Sequence, residues 1–360
     1  MRRTHYTSSR HHWINRSSQS SSALATPNYN SLSLCDRHLD LDGTCKTTTA
    51  TMSVFARSTF SAASYAAFRP SYPASLFKTV LAYHNAPSAD GTALDLGCGH
   101  GLVARALAPH FGRVTAIDPS AGMVKQASES TQDAKIAFRQ AGAEDLSFVA
   151  DGSVDLVVAG QAAHWFDYGR AWPELARVVR RGGTLAFWGY KDNILVGFPE
   201  VNGIFEHFCY GEGEAAPGSG WETMGPYWEP GRQVLRDDLK AVVPPASEWE
   251  AVRRIVYDPD RRTAQAKTEA GADPEAAWLR KTLKLGEFER YVQTFSAYRG
   301  WRDAHPEVKS QAEGGAGDIS DLLFDRLLAA VPEWNAKGDG WRDVQVEAVW
   351  GTTIILAKRK

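Results

Sequence analysis

Ala93-Leu94-Asp95-Leu96-Gly97-Cys98-Gly99-His100-Gly101 reads as a short buried strand running into a glycine-rich turn, with a helix over 102–109 behind it. Glycines let the backbone turn sharply and let a ligand lie against main-chain atoms, where any Cβ would collide. The spacing separates two classes of ligand. A dinucleotide fingerprint, Gly-x-Gly-x-x-Gly, would need its third glycine at 102, and that residue is Leu102. The chain instead carries Asp95-x-Gly97-x-Gly99-x-Gly101, with an acid two residues ahead of the first glycine. An acid there is wrong for a pyrophosphate and suits a ligand bearing an ammonium group.

Val114-Thr115-Ala116-Ile117-Asp118 is a second apolar strand ending in an acid, about 20 residues past the turn, where a Rossmann-like fold places its ribose-binding carboxylate. Asp118 could accept both ribose hydroxyls. Pro119 and Ser120 open the next helix, with Ser120 as its cap. The turn and the strand-terminal acid together resemble motif I and the following strand of the class I S-adenosylmethionine-dependent methyltransferases. That resemblance implies S-adenosyl-L-methionine as cofactor. It assigns Asp95, Gly97, Cys98, Gly99, Gly101, Asp118 and Pro119 to the cofactor site, with Ala143 and Glu144 (or Asp145) beside the adenine and Gln161 just past the fourth strand. Relatives often carry an acid one residue before Ala143, where this chain has Gly142.

The core alternates strand and helix over 92–97, 102–109, 113–118, 120–130, 135–139, 154–159, 170–180 and 183–189. Such alternation predicts an α/β, Rossmann-like fold: a mostly parallel seven-stranded sheet with helices on both faces, its ligand beyond the carboxyl ends of the strands. Before it, Arg69-Pro70-Ser71-Tyr72-Pro73 breaks the helical pattern of 60–85, since each proline forbids continued helix. The segments 344–350 and 352–358 read as an antiparallel strand pair closing the sheet, after a last helix over 321–331. Between about 190 and 320 the alternation stops. That stretch is expected to be a cap insertion over the substrate pocket, helical at 274–298. The expected units are a tail (1–52), a core with lid helices (53–190), the cap (191–320), and the final helix and strands (321–360).

Composition is ordinary for a globular chain: 360 residues, 43% hydrophobic, 23% charged, formal net charge −2. No basic footprint points to nucleic acid, and no apolar run is long enough to span a bilayer. Cys35, Cys45, Cys98 and Cys209 match no zinc spacing and suit a reducing, cytoplasmic setting. The ten histidines are scattered, so no metal site is expected. The first acidic residue is Asp36, and the stretch before it is rich in Ser, Thr, Arg and His. Three readings stay open for it: a disordered tail, a mitochondrial transit peptide, or an extension ahead of a start at Met52.

Further motifs narrow the resemblance. Tyr65-x-x-Phe68-Arg69-Pro70-x-Tyr72-Pro73, His164-Trp165-Phe166, Tyr227-Trp228-Glu229-Pro230-Gly231-Arg232, Thr294-Phe295-Ser296-x-Tyr298 and Trp350-Gly351-Thr352 resemble fungal small-molecule methyltransferases similar to trans-aconitate methyltransferase. Phe68 stands where a tyrosine is common in that signature. The resemblance implies methyl transfer to a small polar acceptor, often a carboxylate. Arg232 is the first candidate to clamp that carboxylate, with Arg69 and Arg299 in reserve; the alternative for Arg232 is a surface ion pair or a loop staple. His164 is a candidate donor to the acceptor, or a base for a hydroxyl or amine, against a turn-capping histidine. Tyr72, Trp165 and Trp228 are candidate pocket walls. A protein that binds cofactor without turnover is the remaining alternative.

Overall fold

The computed structural model describes residues 68–85, 89–211, 222–259 and 279–360. The strands they form are β1 (Thr92–Leu96), β2 (Arg113–Asp118), β3 (Ile136–Gln140), β4 (Val154–Gly160), β5 (Val179–Leu195), β6 (Trp249–Tyr257), β7 (Arg280–Lys284) and β8 (Gln345–Arg359). The α-helices are α1 (Ala74–His84), α2 (Leu102–Leu107), α3 (Ala121–Glu129), α4 (Tyr168–Val178), α5 (Pro199–Tyr210), α6 (Gly231–Arg236), α7 (Leu285–Val292), α8 (Ser296–Ala304), α9 (Ile319–Ala330) and α10 (Pro332–Asn335).

One sheet runs β3-β2-β1-β4-β5-β8-β6, with β7 also paired to β8. Strands β1 to β5 are parallel, and β8 runs antiparallel to β5, β6 and β7. Side chains alternate across the sheet and build a core on each face. Ala93, Val158 and Trp188 meet Val80 of α1, Val103 of α2, Phe288 of α7 and Leu323 of α9. Leu94, Leu96, Val157 and Phe187 meet Ala171 and Leu175 of α4. Layers of helix on both faces are thus as expected. The helix after β2 begins where its cap was placed: the Ser120 hydroxyl accepts from Met123 N–H. Pro73 stops the extended 69–73 segment and opens α1.

Three expectations change. The sheet has eight strands where seven were expected, because β6 and β7, inside the stretch assigned to a cap, both join it. The closing strand pair is one strand: β8 runs unbroken through Gly351. It is longer than β6 or β7, so β7 pairs with residues 345–349 and β6 with most of 352–359 on the same edge. Gly351 is a close approach: a Cβ there would sit 2.7 Å from Lys191 Cε. Of the helical stretch assigned to 274–298, the described part, from residue 279, contains β7 before α7 and α8. The tail (1–52), Tyr65, Cys35, Cys45 and most of the polar stretch 258–275 lie outside the described residues. Cys98 and Cys209 are both buried. Among the described residues no helix is long and apolar enough to cross a membrane.

Candidate functional site

The sheet order reverses between β1 and β4, and ligands in such sheets bind beyond the strand ends at that switch. A pocket opens there. It crosses the carboxyl ends of β2, β1 and β4 and the middle of β5, touching Asp118, Gly97, Gln161 and Tyr190 in that order.

The floor is the glycine turn. Cys98 N–H donates to Ile117 O (2.8 Å), extending the β1–β2 ladder by one bond before the chain turns. Gly97, Gly99 and Gly101 all take positive φ (66°, 55° and 85°), which favours glycine. Their surroundings differ. A Cβ on Gly97 would overlap Cβ of Ala162, and one on Gly101 would lie 2.8 Å from the Phe138 ring. A Cβ on Gly99 would meet nothing within 4 Å, since that position faces the pocket. Two of the glycines therefore let the turn pack, and the middle one keeps its surface open.

Asp118 holds the turn. Its Oδ2 accepts from Gly99 N–H (2.9 Å) and its Oδ1 from Ser120 N–H (2.8 Å), leaving lone pairs facing the pocket it lines. Burial raises its pKa, and those two bonds lower it. Asp95 lies beneath the turn, fully buried and outside the pocket lining. Neither of its oxygens makes a normal hydrogen bond. Burial pushes its pKa up to about 7; the Ala104 N–H at the start of α2 works against that shift, and the Asp118 charge adds to it.

Past β3, Ala141, Gly142, Ala143 and Glu144 line the pocket. Glu144 folds back so that its Oε2 lies 2.7 Å from where a Cβ of residue 142 would be. Its Oε1 accepts from Asp167 N–H (2.9 Å). Gly142 leaves the space that this carboxylate enters.

The β5 end of the pocket has different walls. Arg69, Pro70 and Tyr72 enter from the N-terminal segment, with Trp165, Phe166 and Tyr190 from the sheet side. Tyr72 stands edge-on to Trp188 at 5.6 Å. Arg69 donates to Thr294 O (3.0 Å) and lies over the rings of Tyr291 and Phe295. Gln161 bridges the two ends with a positive φ of 58°, a conformation that costs a non-glycine residue about 1 kcal/mol.

Asp95, Gly101, His164, Trp228, Arg232 and Arg299, all sequence candidates, fall outside the lining. Arg232 is turned inward: it pairs with Asp192, donates to Tyr210 Oη (2.7 and 2.8 Å), and lies 4.6 Å from the centre of the Trp228 ring. It sits in a buried ion pair, neither the clamp nor the surface pair expected of it, because Asp192 and Tyr210 claim its planar fork. Trp228 packs with it and lines nothing. His164 is also set back. Its Nδ1 is buried without a hydrogen bond, and burial lowers its pKa to about 3, with the Arg232 and Arg69 charges adding. Arg299 is not among the lining residues. The residues brought together are Tyr72, Gly97, Cys98, Gly99, Asp118, Pro119, Ala143, Glu144 and Gln161, with Arg69 from the reserve. Sequence reasoning missed His100, Met123 and Tyr190. His100 stood inside the quoted turn and could have been found; Tyr190 had no local signal. Among the described residues no cluster of His, Cys, Asp or Glu could hold a metal ion.

Residues 94–187 match the methyltransferase domain family. The chain is 28% identical over 279 residues to a Saccharomyces cerevisiae protein assigned as an S-adenosylmethionine-dependent methyltransferase, covering 74% of this chain and 87% of that one. It is 30% identical over 252 residues to a Dictyostelium discoideum protein assigned as a methyltransferase, covering 68% and 81%. Among solved structures it is similar to a protein of Anaeromyxobacter dehalogenans assigned as a type II methyltransferase. There the TM-score is 0.55 and the identity 25%, over 81% of this chain and 98% of that one.

Proposed function

Because the chain belongs to the S-adenosylmethionine-dependent methyltransferases, we propose that it methylates a carboxylate oxygen of a small organic acid. The cofactor fits the β2–β1 end of the pocket on three observations. Gly99 keeps an open surface, Asp118 has acceptor capacity beyond its two backbone bonds, and the buried Asp95 carboxyl makes no normal hydrogen bond. Asp118 would take the ribose hydroxyls, Ala143 and Glu144 would border the adenine, and Asp95 would favour the ammonium group through the turn. When bound, the cofactor supplies an electrophilic methyl group on a sulfonium.

Arg69 in the wall at the β5 end is the observation that carries the acceptor assignment. A guanidinium there can hold a carboxylate, while Asp118 and Glu144 would repel one from the other end. A carboxylate is ionised at neutral pH and needs no base. The work left to the residues is alignment and exclusion of water, with Tyr72, Trp165 and Tyr190 closing the walls; alignment of this kind supplies about 7–11 kcal/mol. The second reading, a hydroxyl or amine acceptor deprotonated by His164, is weakened by that histidine's pKa of about 3, which makes it a poor base near neutrality.

The test is transfer of labelled methyl from S-adenosylmethionine to a panel of mono-, di- and tricarboxylic acids, each paired with its amide and alcohol analogues. Label in acids such as trans-aconitate and none in the analogues is expected. Label only in amines or phenols overturns the carboxylate assignment. Cofactor binding with no transfer to any acceptor leaves a binding protein.

A further inference from the structure

We propose that Gln161 is a positioning residue: its side-chain amide extends the edge of β4 by one peptide-like unit and so holds Tyr190 in the wall of the acceptor end. The proposal rests on the methyltransferase reading only for what that wall does.

Regular pairing between β4 and β5 ends at Gly160 and Trp188. Gln161 N–H makes one more ladder bond, to Trp188 O at 2.8 Å, and then the chain turns away through a positive φ. Strand β5 continues. Without a partner, the Tyr190 N–H and C=O would be left bare on the edge facing β4, and buried backbone groups need partners. The Gln161 amide supplies both. Its Oε1 accepts from Tyr190 N–H at 2.7 Å, and its Nε2 donates to Tyr190 O at 2.8 Å. A primary amide carries the same donor and acceptor as a peptide group, so it can stand in for the next residue of a strand.

Three surrounding features depend on this arrangement. The register between β5 and β8 shifts between Tyr190 and Asn193, so the opposite edge is irregular just beyond Tyr190. Gly189 leaves room for the amide: a Cβ there would lie 3.3 Å from Gln161 Oε1 and 2.7 Å from Leu235 Cδ1 of α6. Tyr190 itself is 3% exposed and lines the pocket, so its place in the wall follows its backbone. The strained φ of Gln161 aims the amide sideways along the sheet edge at Tyr190. That is a different task from the cofactor contact its position in the sequence suggested.

Gln161→Ala removes both bonds. Gln161→Glu is isosteric but sets a carboxylate oxygen against Tyr190 O; protonating that carboxyl restores the donor. Backbone hydrogen exchange in the peptide containing Tyr190 is expected to accelerate at least about tenfold in both variants at pH 8. The Glu variant should approach wild type at pH 5, and the Ala variant should not. The dissociation constant for S-adenosylhomocysteine should stay within about twofold of wild type, while the acceptor KM rises at least about fivefold, with trans-aconitate as the first acceptor probe. Affinity for S-adenosylhomocysteine weakened tenfold or more, with exchange at Tyr190 unchanged, overturns the proposal and returns Gln161 to the cofactor. If no acid is methylated, the carboxylate reading fails, and the exchange and S-adenosylhomocysteine measurements still decide the role of Gln161.

Discussion

The two ends of the pocket are built by different rules. At the β2–β1 end, one turn and one strand terminus supply the floor, mostly through main-chain atoms: Gly97 to Gly101 with Asp118 bonded to the Gly99 and Ser120 N–H groups. At the β5 end, the walls are side chains from separate segments, and Arg69 reaches the site by bonding a carbonyl 225 residues away. The first kind of site is local and backbone-determined. The second exists only once the whole chain has packed.

Four substitutions or measurements press on that contrast, the largest effect first. Arg232→Ala removes the guanidinium bonded to Asp192 and Tyr210, leaving Arg236 at 3.8 Å as a cation beside Asp192, and should cost about 3 kcal/mol of stability, read from the urea unfolding midpoint. An undiminished midpoint with acceptor binding lost would restore Arg232 as the clamp. Gly99→Val points into open space, so the protein should fold, with modest strain from its positive φ. Its affinity for S-adenosylhomocysteine should fall at least about 100-fold by calorimetry, or roughly 2.7 kcal/mol. Normal affinity would move the cofactor off the turn.

Arg69→Gln removes the charge at the other end. It should raise the KM for an acid about tenfold and leave cofactor affinity unchanged. If both constants moved together, the two ends would not be separable.

The smallest effect is in protons. The folded pKa of Asp95, about 7, lies above its unfolded value, so the protonated form is favoured in the folded, ligand-free protein. Stability should therefore decline as pH rises from about 4 through 7, relative to Asp95→Asn. His164 (about 3) and His84 (about 4) are held neutral by burial and oppose that trend, since their stability is lost as pH falls below about 6.5. The Asn variant isolates Asp95 from both. A cationic cofactor should lower the Asp95 pKa, so binding near pH 6.5 should release a fraction of a proton, measured by calorimetry in buffers of different ionisation enthalpy. No release, or equal release in Asp95→Asn, would remove Asp95 from the cofactor's field.

The parts legible in advance were those whose partners lie nearby in sequence. The glycine spacing, the strand ending at Asp118, the Ser120 cap and the proline break before α1 all follow from local stereochemistry. The errors share one cause, which is partner choice at long range. Gly351 looked like a turn because nothing local says that β5 lies along one edge of that strand while β6 and β7 divide the other. Arg232 looked like an anchor because nothing near it announces Asp192, 40 residues earlier, or Tyr210.

By itself, then, the sequence determined the floor of the pocket, a turn of three glycines with positive φ and an acid at the next strand's end that bonds it, since backbone conformation is a local property. The tertiary structure alone decided which arginine faces the pocket, that Glu144 fills the space above Gly142, and that Gln161 spends its amide on Tyr190. Those outcomes depend on competition among buried polar groups for partners, and that competition is settled only when distant segments pack together.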